Sequence, residues 1–184
     1  MDEAFTIRPF DGTEADVDRM MHVLREAWRA LDPEFTTTGV SFEREQWSPH
    51  LRDPATEWIL LFGPDGTAAG FAGWRYLPGT SHLHALFVAH AYQKRGYGRA
   101  MLRRHWETVQ ARQPDTVLFT LHVREPATWA QNLYLSEGYR FYRKGDEKTW
   151  AALMTWIDAC RARQSWPLPA GKLLMFRDRP RIRE

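Results

Sequence analysis

Seven consecutive residues, Gln93-Lys94-Arg95-Gly96-Tyr97-Gly98-Arg99, combine three cationic side chains with two glycines. Before them, Leu83, Leu86 and Val88 lie in an apolar and aromatic run, which includes Phe87, suited to a buried strand. After them, Leu102, Trp106 and Val109 fall at i, i+4 and i+7, one face of a helix. A helix N-terminus presents backbone N–H groups without intrahelical partners and about half a positive charge. Glycines let the chain turn tightly and let a ligand approach the backbone. Strand, basic glycine-containing loop and helix can therefore cradle an anion, most simply a phosphate or pyrophosphate. The alternative reading is a plain connection carrying solvated charges. His82 and His84 alternate with Leu83, so both imidazoles point to one side of that strand. An imidazole titrating near pH 6.5 can move a proton near neutrality, or be a hydrogen-bonded core residue.

The spacing excludes two other anion loops. A nucleoside-triphosphate loop needs Gly, four residues and Gly-Lys-Ser/Thr, which is absent; a dinucleotide loop needs a third glycine where Met101 stands. No His/Cys/Asp/Glu spacing suggests a metal. A single cysteine, Cys160, excludes an internal disulfide.

These residues need elements to position them. Ala4–Pro9 reads as a strand, with Phe5 and Ile7 alternating. Asp11 or Thr13 can cap a helix whose apolar face is Val17, Met20, Leu24, Ala27 and Leu31, ended by Asp32-Pro33. Ser41 can cap a short second helix carrying Phe42 and Trp47, which Pro49 should end. Trp58–Phe62 and Thr67–Leu77 form a hairpin around the turn Pro64-Asp65-Gly66. Gly70 and Gly73 there imply close backbone approach or a bulge. Pro78-Gly79 turns the chain into His82–Val88. Past the long helix, Thr116–Val123 is a strand. Pro126 starts a helix with Trp129, Ala130, Leu133 and Tyr134 on one face, and Gly138 at its C-terminus. Tyr139–Arg143 and Lys172–Asp178 are strands. Between them, Glu147–Arg163 repeats at near-helical spacing through Trp150, Met154 and Ile157, and Trp166-Pro167-Leu168-Pro169 links onward. The order is that of a mixed α/β (α+β) domain with one central sheet.

The chain has 184 residues, 43% hydrophobic and 26% charged, enough for one globular domain. A formal net charge of +2 is too small to argue for nucleic acid. Arg177, Arg179, Arg181 and Arg183 alternate with other residues as a solvated tail would. No run approaches the ~20 apolar residues of a membrane span. The acidic start MDEAFTIRPF lacks the features of a signal peptide, so a cytoplasmic location is expected.

Gln93, Gly96 and Gly98 after a Val-ended strand fill the pattern Gln/Arg-x-x-Gly-x-Gly/Ala. This resembles the acetyl-CoA loop of the GNAT superfamily of N-acetyltransferases. A second stretch strengthens the resemblance: Ala130, Leu133, Tyr134, Gly138 and Tyr139 fit Asn-x-x-Ala-x-x-Leu-Tyr followed by Gly-Phe/Tyr, with Ala127 where relatives carry asparagine. The element order is similar over nearly the whole chain, except that residues 144–170 form a helical insertion before the last strand.

The resemblance implies a single domain over residues 1–184, with a mostly antiparallel sheet flanked by helices and splayed at the cofactor-binding strand. It implies acetyl-CoA as acyl-donor substrate, no metal, and direct transfer to an amine acceptor, a small molecule or a peptide. A catalytically weak CoA-binding or sensor module is the alternative. No nucleic-acid or membrane partner is implied, and a homodimer is left open. Cofactor contacts would come from Leu86, Phe87, Val88, Gln93, Lys94, Arg95, Gly96, Tyr97, Gly98, Arg99 and Ala130. The Val88 N–H would polarise the thioester carbonyl, and Tyr134 would protonate the departing thiolate or merely pack on the cofactor. His82, where many relatives place glutamate, or His84 would take the amine's proton, with His122 and Glu125 as further candidates. Residues 28–47 and 143–172 would build the acceptor pocket, with Trp28, Phe35, Trp47, Trp150, Trp156 and Trp166 as its aromatic candidates.

Overall fold

In the computed structural model, residues 5–29, 44–148, 150–162 and 171–178 are described, apart from the side chains of residues 46 and 48–50. Leu31, the helix end at Asp32-Pro33, the Glu34–Val40 connector with Phe35, and Ser41, Phe42 and Trp166 fall outside them. Seven strands form one sheet in the order β1 (Thr6–Pro9), β2 (Thr56–Phe62), β3 (Ala68–Leu77), β4 (Thr80–Val88), β5 (Leu118–Arg124), β7 (Lys172–Asp178), β6 (Arg140–Phe141); β1–β2, β5–β7 and β6–β7 pair antiparallel, and β4–β5 parallel. The chain divides into two compact units: residues 1–74 with 85–105, and residues 75–84 with 106–184.

The first unit begins with β1 (Thr6–Pro9) and α1 (Glu14–Arg29). The Thr13 hydroxyl accepts the Asp16 N–H at 3.3 Å, which makes Thr13 the cap. Val17, Met20, Leu24 and Ala27 are buried along α1 as their spacing requires. Val17, Met20 and Leu24 pack with Trp28, Trp58, Leu60, Phe71 and Ala85 in one core. Asp16 is wholly buried, and Arg8 of β1 donates to both its carboxylate oxygens at 2.7 and 2.5 Å. Helix α2 (Arg44–Leu51) is tied to α1 by Arg44 to Glu14 and Asp18. Pro49 was expected to end α2 but does not; the helix runs two residues further, to buried Leu51. The missing proline N–H costs this short helix one bond, and burial of Leu51 offsets it.

Strand β2 (Thr56–Phe62) and β3 (Ala68–Leu77) meet at the Asp65 turn, where Gly66 takes φ +75°. Both strand glycines reflect close approach. A Cβ on Gly70 would lie 2.9 Å from the Phe87 carbonyl, and one on Gly73 2.2 Å from the Trp58 ring. Met101, at the place of a dinucleotide loop's third glycine, is fully buried against Gly70.

The second unit carries the start of β4 (Thr80–Val88), β5 (Leu118–Arg124), α4 (Thr128–Ser136), β6 (Arg140–Phe141), α5 (Ala151–Ala162) and β7 (Lys172–Asp178). Strand β7 pairs with β5 along its full length, from Leu118↔Asp178 to Arg124↔Lys172. The parallel ladder of β4 with β5 covers only Thr80–Leu83 against Leu118–Leu121, although β4 continues to Val88 and β5 to Arg124. Leu153, Trp156 and Ile157 of α5 are buried with Leu118, Leu174 and Phe176, so this helix is part of the core. Its inner face is displaced from the one expected, since Trp150 and Met154 are only partly buried. Trp129 of α4 is 52% exposed rather than sharing the inner face with buried Tyr134. Five residues before Tyr134, it lies about 140° round the helix and points away, and Ala127 lies inside instead. Strand β5 also starts later than its β-branched residues imply. Thr116 closes a turn onto Gln113, and the Val117 and Leu118 N–H groups both reach the Gly79 carbonyl.

Candidate functional site

The loop of the first unit is built by Ala89 and a one-turn 3-10 helix, His90–Tyr92, leading into α3 (Tyr97–Arg112). The Ala89 N–H binds the Ala69 carbonyl at 2.9 Å, anchoring the end of β4 on β3. The Gln93 side-chain amide donates to the Val88 carbonyl at 3.0 Å, folding the loop back on its strand. Lys94 stands at φ +61° and Gly96 at φ +86°. A left-handed residue on either side of Arg95 turns successive N–H groups inward, the geometry of an anion nest. Nothing lies within 4 Å of a Cβ on Gly96, so glycine is needed there for its backbone and not for space.

Intrahelical bonding in α3 starts with the Ala100 N–H on the Gly96 carbonyl, at 3.0 Å. The N–H groups of the preceding turn, which includes Gly98, point out of the helix end. Lys94, Arg95 and Arg99 are exposed around it. Tyr97 was expected among the cofactor contacts, but its ring is 2% exposed, held edge-on by Phe5 at 5.5 Å and stacked on Tyr92 at 5.8 Å. What it can offer an anion is its main chain. The Tyr92 hydroxyl donates to both Asp65 oxygens at 3.0 and 2.9 Å, so the β2–β3 turn clamps the loop. Leu86, Phe87 and Val88 are partly buried; the Phe87 ring turns into the core, 5.1 Å from Phe71 and 6.2 Å from Trp47.

In the second unit the two strand histidines part company: His84 is exposed and His82 is partly buried. His82 lies across from Thr120 on β5, and its Nδ1 is 2.9 Å from the Thr120 hydroxyl. Its ring is 4.8 Å from the His122 ring and 5.4 Å from Trp156. His122 also meets Trp156 edge-on at 5.4 Å, and its Nε2 is buried without a hydrogen-bond partner. Burial, then the charges of Lys172 and His84, lower the His122 pKa to about 4, so this imidazole is neutral near pH 7. The pairing of His122 with His82 and Trp156 is not visible in sequence, because it depends on the β4–β5 register and on α5. Alternation along His122 and Arg124 was its only signal.

Tyr134 is 7% exposed, and burial, with Tyr139, raises its pKa well above the ordinary phenol value. Its ring meets Tyr139 edge-on at 5.7 Å. Trp106 donates to the Tyr139 hydroxyl at 3.3 Å, while the Arg177 guanidinium lies 4.0 Å over Trp106 and donates to the Glu137 carbonyl. Gly138 at φ +83° closes α4. Ala127 caps the start of that helix with no side-chain bond, and Ala130, one turn in, is partly buried.

The aromatic candidates for an acceptor pocket are mostly structural. Trp28 and Trp156 are buried, Trp47 packs against the core, and Trp150 lies under Arg140 and beside Phe176. Among the described residues no group of three His, Cys, Asp or Glu side chains is arranged to hold a metal, and no helix is long and apolar enough to cross a membrane.

With this geometry in place, sequence comparison decides the family. The profile of the acetyltransferase (GNAT) family matches residues 17–139. The chain belongs to that family. Its fold is shared with solved structures of low sequence identity. The PaiA N-acetyltransferase of Thermoplasma acidophilum, in complex with coenzyme A, is 13% identical over 95% of this chain and 99% of its own, with a TM-score of 0.69. The ribosomal-protein-S18-alanine N-acetyltransferase of Escherichia coli is 18% identical over 96% and 94%, at 0.65. A GNAT-family acetyltransferase of Staphylococcus aureus is 16% identical over 95% and 99%, at 0.68. No curated protein matches the sequence. In this GNAT member both sequence motifs lie inside or at the edge of the matched region.

Proposed function

We propose that this protein is an N-acetyltransferase that moves the acetyl group of acetyl-CoA directly to an amine. The observation that carries the reading is the loop after β4. Lys94 and Gly96 stand in left-handed conformations at the N-terminus of α3, with three cations around them. A phosphate or diphosphate is the kind of anion that such an end binds. The shared fold with a coenzyme A complex supports the same assignment.

In this reading the amides of residues 94–99 hold the pyrophosphate. Leu86 and Val88 pair through their main chain with the pantetheine arm, as an added strand would. The Val88 N–H faces the thioester carbonyl, where charge develops. The acceptor ammonium gives a proton to His82, the free amine attacks the carbonyl carbon, and the N–C bond forms as the C–S bond breaks. Tyr134 then donates its phenolic proton to the thiolate, and the second proton, shed by the acylated nitrogen, returns the phenolate to phenol by way of solvent. Burial keeps that phenol protonated at neutral pH, as a proton donor requires. Ala130 lies against the cofactor on α4.

A second reading, a GNAT-fold protein that binds CoA without turnover, is favoured by one observation: Ala127 offers no side-chain amide where the family pattern has asparagine. Following free thiol release from acetyl-CoA with a panel of amines separates the two. Thiol release that depends on amine is the expected result; cofactor binding without release establishes the second reading.

A further inference from the structure

Arg177 reads in sequence as part of an alternating basic tail, yet its side chain turns inward and is partly buried. It stands across from Phe119 in the β5–β7 ladder, which fixes its base. Its guanidinium lies 4.0 Å over the Trp106 ring of α3 and 5.8 Å from the Tyr139 ring, and it donates to the Glu137 carbonyl at 2.5 Å. Glu137 is the C-cap of α4. Beyond it the chain reverses: the Tyr139 N–H binds the Tyr134 carbonyl and the Gly138 N–H binds the Leu135 carbonyl, each at 3.0 Å, with Gly138 left-handed at φ +83°. Those two bonds form a Schellman cap, and the edge-on contact of Tyr139 with Tyr134 at 5.7 Å is the apolar contact that such a cap carries. The backbone and the ring of Tyr134 are therefore both set by this cap. A cation at a helix C-terminus also faces the negative end of the helix dipole. Burial works against the charge and lowers the Arg177 pKa, a cost that an apolar side chain would avoid.

We propose that Arg177 is a positioning residue for the transfer step: by holding the C-terminal cap of α4 and the Tyr139 ring, it keeps the Tyr134 phenol where the departing thiolate takes its proton. This rests on the acetyl-transfer reading and deepens it at Tyr134. Proton transfer needs hydrogen-bond distance, and a misplacement of ~1 Å can cost about 10²-fold in rate. Losing Arg177 therefore lowers turnover by way of the phenol, with the cofactor loop of the other unit untouched. A residue that only supported the fold would weaken the enzyme alike whether or not Tyr134 had its hydroxyl; residues that act as a unit are non-additive.

The test is a double-mutant cycle of Arg177→Met and Tyr134→Phe in the full-length protein, read by steady-state kinetics. Arg177→Met alone is expected to lower kcat about tenfold while the acetyl-CoA KM stays within about twofold. Added to Tyr134→Phe, the same substitution is expected to cost less than about twofold in kcat. Equal losses in the two backgrounds, no loss of kcat, or an effect confined to KM overturns the proposal. Should Arg177→Met not fold, as judged by circular dichroism, Arg177→Gln, which keeps a donor but not the charge, goes through the same cycle with the same deciding outcomes. Should no amine be turned over, the acetyl-transfer reading falls by itself, and NMR of the protein with 13C-labelled tyrosine rings still reads the positioning. The Tyr134 line, identified as the one missing from Tyr134→Phe, is expected to broaden in Arg177→Gln as the ring gains alternative orientations. A line that stays sharp and unmoved overturns the positioning role as well.

Discussion

Tyr134 concentrates the chemical proposal in one phenol. Its Tyr134→Phe variant should bind acetyl-CoA with little loss but turn over about 10²-fold more slowly, the lower end for a general acid, because a thiolate already leaves well. Steady-state kinetics with calorimetry of coenzyme A binding reads both quantities. Because burial raises the phenol's pKa, the rate should show no loss from Tyr134 ionisation between about pH 8 and 10. Asp16 is the opposite case, a buried charge with a purely structural role. The Arg8 guanidinium beside it holds its carboxyl well below the usual carboxylate range, and Arg19 adds a bond at 2.7 Å. A folded pKa below the unfolded value of ~3.9 means the stabilisation is present above that pH and is lost as pH falls through the folded value. Asp16→Asn should therefore cost about 2 kcal/mol in urea unfolding at pH 7. The gap to the parent should narrow below about pH 4.

The hairpin clamp on the loop is tested at the level of elements. A Cβ at Gly63 would meet the Tyr92 ring at 2.6 Å, pushing aside the side chain that joins Asp65 to the 3-10 turn. Gly63→Ala should lose about 1–3 kcal/mol of stability through that overpacking and raise the acetyl-CoA KM before it changes kcat. Helix α3 and strand β5 carry a pH signature. Burial lowers His105 to about 3 and His122 to about 4, against ~6.5 when unfolded. Depressed values mean stability is full above about pH 6.5 and is lost progressively as pH falls toward 4 and then 3. Thermal melts across that range should show the decline, and His105→Leu should flatten it.

These elements also show what sequence made legible. The loop, α3 and β7 could be read because glycine punctuation and apolar spacing are local; β7 spans Lys172–Asp178 as its sequence implies. The turn at Asp65 and the Thr13 cap followed from side chains that bond their own backbone. Pro49 misled because buried Leu51 outweighs one lost helix bond. His82, His122 and Trp156 were separate candidates in sequence, but their grouping could not be read. It requires the ladder that sets His82 against Thr120 and the side of β5 that α5 covers, and both are decided by tertiary packing.

For the whole molecule, we propose one domain over residues 1–184. The boundaries between the two compact units fall inside β3, β4 and α3, and elements of that kind cannot be cut without loss of both sides. A single cooperative denaturant transition is the expected outcome, and two separated transitions would contradict it. The insertion of residues 144–170 is proposed to shape the acceptor side. Since Leu153, Trp156 and Ile157 of α5 are core residues, removing residues 148–167 exposes apolar surface. Trp156→Phe is the milder probe, expected to raise the acceptor KM more than the acetyl-CoA KM. All of this depends on where the diphosphate sits. A crystal grown with coenzyme A measures that directly. The account predicts diphosphate oxygens within hydrogen-bond distance of the main-chain amides between Lys94 and Arg99. Coenzyme A seated elsewhere, or a protein that does not take it up, would contradict the account.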